Sequence, residues 1–327
     1  MSNQFETFRT IVLSHSHFVL TTHINPDGDG LGTEVALALS LRDQGKQVTI
    51  LNDCATPDNY LFLSELFPIL QYDPSRHAHI IEHAEVILVL DTNHLDRLGT
   101  MKSALESSNA VKICIDHHLE PGTFADLYIL DESSTATGEI VYRLINELAG
   151  GTLHRETAIA LYTAIMTDTG SFRYPKTDSE THHIIAHLLQ LGADPVAVYR
   201  QVYECSSINR VHLLGLGLAT MRLSQNGKIA SIVLTREMFE KTGTTEVDAE
   251  AFVPYTLTID GVQIGLMFSE MHGIVKVSFR SKGDIWINEL AKQFGGNGHK
   301  NAAGARIPNA QLNDIISQVL EKAGSYI

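Results

Sequence analysis

The stretch HFVLTTHINPDGDGLGTEVALALSLRD, residues 17–43, decides the fold. Its first six residues are short, apolar and partly β-branched, the composition of a strand buried on both faces. Residues 31–43 place Val35, Ala38, Leu39 and Arg42 at helical spacing. Pro26, Gly28 and Gly30 make the polar turn between them. A strand that runs through a tight turn into a helix is half of a βαβ unit, and the rhythm continues. Apolar runs at 47–51, 86–90 and 111–115 read as further strands, and 133–148 and 155–166 as helices. The pattern predicts an α/β fold: an N-terminal domain with a doubly wound, mostly parallel sheet and its reactive groups at the carboxyl ends of the strands.

Beyond residue 178 the pattern changes. Residues 178–218 are helical in spacing and carry no strand signal. Asn226-Gly227 sits between alternating residues in 221–234, a hairpin signal. A second hairpin joins 262–269 to 274–281 through Met271, His272 and Gly273, and 286–294 and 312–323 read as helices. The expected division is a catalytic domain over 1–190, a helical connector over 191–218, and a smaller α+β domain over 219–327.

Length and composition narrow the class. The 327 residues suffice for two domains, and 44% hydrophobic with 19% charged residues fits a globular chain. No apolar run reaches the roughly 18–20 residues of a membrane span. The first twenty residues lack the pattern of a signal peptide, and the three scattered cysteines suit a reducing compartment, so a cytoplasmic location with no membrane partner is expected. A net charge of −14 argues against wrapping long nucleic acid, where affinity comes from neutralising phosphates. A small anionic substrate held by metals and a few donors is the reading that charge permits.

Sixteen histidines direct attention to metal ligands. After the first strand come His23, Asp27 and Asp29 within seven residues. Carboxylates this close repel unless a cation lies between them. Hard divalent ions take oxygen ligands, and imidazole shifts the preference toward Mn2+. A polar turn capping the helix accounts for one Asp but not for the set. Val89-Leu90-Asp91 is a buried strand ending in Asp, which alone is also what a helix cap looks like. Ile115-Asp116-His117-His118 puts an acid and two imidazoles after another strand. Thr167-Asp168-Thr169-Gly170-Ser171 follows an apolar helix end. Together His23, Asp27, Asp29, Asp91, His117 and Asp168 suit a pair of metal ions of the kind used in phosphoryl chemistry. In the second domain, Phe294-Gly295-Gly296-Asn297-Gly298-His299-Lys300 exposes backbone amides that can cradle a phosphate. Arg280, with Ser281 beside it, offers a bidentate donor. Tight hairpin packing and a solvated strand-end arginine are the plainer accounts.

Taken in order, THINPDGDGLG, the strand-end Asp91, IDHH and TDTGSF resemble the motifs of the DHH phosphoesterase superfamily, and GGNGHKNAAG resembles the tail of its DHHA-type domain. The size is similar to the nanoRNase/pAp-phosphatase branch. The resemblance implies two divalent ions, Mn2+ first and Mg2+ or Co2+ as alternatives. His23, Asp27 and Asp91 would hold one, and Asp29, Asp91, His117 and Asp168 the other, with Asp91 between them. It implies catalytic roles for His118, facing the scissile phosphate, for Asp116 behind it, and for Asp91. Arg280, Ser281, Gly295, Gly296, Gly298 and His299 would grip the nucleotide. The expected reaction is hydrolysis of short oligoribonucleotides to 5′-mononucleotides, or of pAp to AMP and phosphate, with a homodimer as the candidate assembly. Alternatives are a cyclic-di-AMP or pApA phosphodiesterase, a polyphosphate or pyrophosphate hydrolase, and a non-catalytic nucleotide sensor. A dinucleotide-dependent oxidoreductase is excluded because the first turn lacks GxGxxG and is acidic where a pyrophosphate would lie.

Overall fold

The computed structural model describes residues 2–118, 121–148 and 153–327, with the side chains of Ser2 and His299 outside the description. The chain divides into two compact units, Met1–Cys205 and Ser206–Ile327.

The first unit is built on a six-stranded sheet: β1 (His17–Thr21), β2 (Gln47–Asn52), β3 (Ile69–Gln71), β4 (Val86–Leu90), β5 (Val111–Asp116) and β6 (Leu127–Leu130). All neighbours pair in parallel, in the order β3-β2-β1-β4-β5-β6. Around it lie α1 (Ser2–Ser14), α2 (Gly28–Asp43), α3 (Leu61–Leu66), α4 (Pro74–Glu82), α5 (Lys102–Ser107), α6 (Thr137–Leu148), α7 (Arg155–Asp168), α8 (Ser179–Gln190) and α9 (Pro195–Tyr203). Alternation along the strands sorts the two faces. Phe18, Leu20, Leu88 and Leu90 pack with Leu31, Val35, Ile140 and Leu161, whereas Val19, Ile87 and Val89 pack with Ile81, Leu98 and Leu105. The strand order reverses between β1 and β4, the place where such sheets open a crevice at their carboxyl ends.

Two helices differ from their expected form. Helix α2 begins at Gly28 rather than near Leu31, because Asp27 caps it by accepting from the Asp29 and Gly30 amides. It is also buried from Gly28 to Leu41, on every face, since α7 covers the side turned away from the sheet. Gly32 permits this approach: a Cβ there would fall 2.5 Å from the Ala160 carbonyl oxygen. Helix α6 starts at Thr137, four residues later than the spacing suggests. Asp131 holds the preceding turn by accepting from the Ser133 hydroxyl and amide and the Ser134 hydroxyl.

The second unit holds α10 (Ile208–Ala219), β7 (Arg222–Ser224), β8 (Ile229–Leu234), α11 (Arg236–Thr242), β9 (Ile264–Met271), β10 (Ile274–Ser281), α12 (Ile287–Lys292), β11 (Asn297–His299), β12 (Ala302–Pro308) and α13 (Leu312–Ala323). Its sheet runs β11-β12-β10-β9-β8-β7, antiparallel except for the parallel pair β8–β9. Leu266, Phe268, Val277 and Phe279 form one core with Leu290 and Val319, and Ile232 and Met267 form another with Leu213 and Phe252. The connector expected over 191–218 is divided: α9 belongs to the first unit and α10 to the second.

Candidate metal centre

Each acidic or imidazole side chain of the first unit's cluster is delivered by a strand or helix end. His23 and Asp27 follow β1, Asp29 lies in the first turn of α2, and Asp91 follows β4. These two strands flank the reversal in strand order. Asp116 ends β5 with His117 and His118 after it, and Asp168 ends α7.

The side chains converge. His23 Nε2 lies 3.4 Å from Asp91 Oδ2, and ligand-type atoms of His23, Asp27 and Asp91 fall within 4.8 Å of one another. A second group of the same tightness joins Asp29, His117 and Asp168. His117 Nε2 stands 3.9 Å from Asp29 Oδ2, 3.4 Å from Asp168 Oδ2 and 3.7 Å from Asp91 Oδ1. Asp91 thus lies between the two groups. Both imidazoles are turned by the opposite ring nitrogen: His23 Nδ1 bonds the Ile24 carbonyl at 2.8 Å and His117 Nδ1 the Ser134 carbonyl at 3.3 Å. Those contacts orient both rings with Nε2 toward the acids, as metal-binding histidines are held, and without a metal His23 Nε2 donates to Asp91.

His118 is set differently. Its Nδ1 donates to Asp116 Oδ1 at 2.7 Å, and the same oxygen accepts the His117 amide at 2.8 Å. Asp116 is fully buried, and its Oδ2 has no hydrogen-bond partner among the described residues. Burial opposes charging His118, but the Asp116 bond and the Asp91 charge outweigh it and push the imidazole up to about 9. Burial raises Asp29 well above the carboxylate range, with Asp91 and Asp168 adding repulsion. Asp168 is pushed up to about 7 by burial and by Asp91 and Asp27. Asp91 goes the other way: burial is outweighed by the His23 bond and the charges of His23, His118 and His117, which hold it well below its ordinary value. Closely set acids, two of which resist ionising, with imidazole nitrogens turned toward them, fit a cation-binding site.

Several contributors had no visible signal in the sequence. Asp29 accepts the amides of Thr137 at 2.7 Å and Gly138 at 2.9 Å, the first N–H groups of α6. The Thr137 hydroxyl donates to Asp91 Oδ1 at 3.0 Å. Thr22 Oγ1 donates to the Leu90 carbonyl at 2.8 Å, tying the first loop to the residue before Asp91. A Cβ on Gly28 would meet Thr167 Oγ1 at 2.5 Å, and one on Gly30 would meet Thr22 Oγ1 at 2.5 Å, so these glycines serve close packing.

The remaining predicted residues lie in the second unit. Arg280 lies next to last in β10, beside its final residue Ser281, whose hydroxyl donates to the Ile285 carbonyl and accepts from Asn301 Nδ2. The glycine-rich segment is a hairpin of β11 against β12 rather than an open loop. Gly295 and Gly298 take φ of 72° and 150°. Asn297 is not among the left-handed residues, so the turn makes no demand for glycine there. A Cβ on Gly296 would strike the Gly304 carbonyl oxygen. The backbone of His299 is in β11, and its side chain lies outside the described part.

Comparison with known proteins agrees with this architecture. Residues 17–165 match the model of the DHH family, N-terminal domain, and residues 226–325 match the DHHA1 domain. The chain is 31% identical to the bifunctional oligoribonuclease and PAP phosphatase NrnA of Bacillus subtilis, over 97% of both chains. It is 28% identical to the probable bifunctional oligoribonuclease and PAP phosphatase NrnA of Streptococcus mutans, over 97% of this chain and 98% of that one. The crystal structure of an exopolyphosphatase-related protein from Bacteroides fragilis superposes with a TM-score of 0.94 at 32% identity, over 99% and 97% of the two chains. RecJ of Thermus thermophilus in complex with Mn2+ shares the fold, with a TM-score of 0.56 at 15% identity over 99% of this chain and 55% of that one. The chain belongs to the DHH family. It is a hydrolase acting on phosphate esters, and the family and the acidic cluster together point to divalent-metal binding.

Proposed function

We propose that the protein uses two divalent ions, Mn2+ by preference, to hydrolyse short oligoribonucleotides to 5′-mononucleotides and pAp to AMP and phosphate. The observation that carries this reading is the pair of tight ligand groups with Asp91 between them. The substrate class is supported by the activities in the names of the Bacillus and Streptococcus relatives.

His23, Asp27 and Asp91 would hold one ion, and Asp29, Asp91, His117 and Asp168 the other. When bound, the ions would supply Lewis-acid activation of a water and neutralise charge on the phosphoryl group. The chain's own residues prepare that chemistry. The Thr137 and Gly138 amides hold Asp29, and the Thr137 hydroxyl steadies Asp91. Asp116 orients His118, and its hydrogen bond and charge favour the protonated imidazole. The other imidazole N–H of His118 is then a charged donor for a phosphate oxygen, strongest as negative charge grows there. Arg280, Ser281, Gly295, Gly296, Gly298 and His299 would form the nucleotide-holding set of the second unit.

The test is hydrolysis by purified protein with Mn2+ of pAp, pApA, a short oligoribonucleotide and pyrophosphate, beside the Asp91→Ala variant. Metal-dependent turnover of the nucleotides that disappears in the variant supports the reading and orders the substrates. Tight nucleotide binding with no turnover of any compound would replace it with a binding protein.

A further inference from the structure

The second unit carries the chain's single tryptophan, Trp286, and leaves it 56% exposed. Among the described residues of 281–301 it is the only large hydrophobic so exposed. The turn that presents it is fixed. Asn301 Nδ2 reaches Ser281 Oγ at 2.9 Å, the Gly283 carbonyl at 3.0 Å and the Ile285 carbonyl at 3.3 Å. The Ile287 amide donates to the Lys300 carbonyl at 2.7 Å, tying the far end of the turn to the glycine hairpin. The Lys300 ammonium lies 5.6 Å from the indole centroid and 2.7 Å from Asp284 Oδ1. A flat, electron-rich ring thus projects from a hydrogen-bonded turn that follows the strand end carrying Arg280 and is tied to the glycine hairpin through Lys300.

We infer that Trp286 is a stacking platform for the nucleobase of the substrate; this rests on the nucleotide reading of the second unit given above. A base offers a π-face whatever its identity, so an aromatic ring beside anion donors takes the non-phosphate end of a nucleotide without choosing its sequence. A protein partner would need a broad surface with an apolar centre, and a lone ring in polar surroundings does not supply one. The pre-ordered turn means little backbone freedom is lost when the base arrives.

The single tryptophan makes the test direct. Its fluorescence, excited where tyrosine does not absorb, is followed during titration with AMP, with pAp and with ribose 5-phosphate. Turnover of pAp and of the same bisphosphate lacking the base is measured for the unaltered protein, Trp286→Phe and Trp286→Ala. The expected result is quenching by AMP and pAp but not by ribose 5-phosphate. KM for pAp should rise about 5- to 100-fold in Trp286→Ala, the range that loss of one base–aromatic stack gives. It should recover largely in Trp286→Phe, with kcat and the base-free reaction unchanged throughout. Absence of quenching, or an unchanged KM for pAp in Trp286→Ala while the unaltered protein turns pAp over, overturns the platform and leaves the proposed reaction standing. If the unaltered protein turns over neither bisphosphate, the reaction fails, and the fluorescence titration alone still decides for or against the platform.

Discussion

Asp91 adopts a φ of +59°, a backbone region that few L-residues enter and that asparagine and aspartate tolerate best. Asn25 and Ser171, in the loops that carry the other acids, take φ of 54° and 58°. Local strain gathered at one place is typical of functional sites. Asp91→Asn keeps both the shape and the tolerance for this backbone, so it should fold with a midpoint close to the original while losing at least on the order of 100-fold in turnover. Asp91→Ala should lose activity and also about 1 kcal/mol or more of stability from the strained conformation; denaturant unfolding of the two variants separates these effects. Asp116→Asn removes the charge that holds His118 at about 9, so an NMR titration should show that imidazole returning toward its ordinary value. The sign for stability follows from a raised histidine. The pair's contribution is fully present below about pH 6.5, the unfolded value, and is lost as pH rises through about 9. The destabilisation caused by Asp116→Asn should accordingly shrink across that window.

At the scale of elements, the strand ends could be read because side chains announce them: β-branched runs stop, and His or Asp follows. The reversal between β1 and β4 then brings His23 and Asp91 together. Much of what steadies the acids was not legible. The donors to Asp29 are the backbone amides of Thr137 and Gly138, which have no side-chain signature. The full burial of α2 depends on α7, a long way off in the chain, so spacing revealed one apolar face where the structure has several. The glycines of β11 and β12 weaken any strand pattern, so the sequence left an anion-cradling loop and a tight hairpin both open, and the structure has the hairpin. Packing of α2 against α7 makes a prediction of its own. Gly32→Ala places a methyl 2.5 Å from a backbone oxygen that cannot rotate away. It should cost about 1–3 kcal/mol in chemical denaturation.

For the whole molecule, the acidic cluster couples metal uptake to protons. Without metal, Asp168 sits at about 7 and Asp29 is also raised, so between the ordinary carboxylate value and neutrality these two carboxyls bind more protons in the folded state than in the unfolded chain. Their contribution to the stability of the metal-free protein therefore falls as pH rises from about 4 toward 7. Divalent ions must displace those protons, and affinity should grow with pH across that interval. Thermal unfolding with a fixed excess of Mn2+ checks this: the rise in Tm should be larger at pH 8 than at pH 6, following the usual dependence on ligand concentration over Kd. No helix among the described residues is long and apolar enough to cross a membrane.

The sealed position of α2 also bears on how the chain is made. Its fourteen buried residues, Gly28 to Leu41, leave the ribosome well before α7, which closes over them and is translated only from Arg155 onward. At ordinary rates of synthesis the nascent helix stays uncovered for about ten seconds. Stalled chains that stop short of Arg155 should be retained by holding chaperones, and chains extended well past Asp168 should be let go.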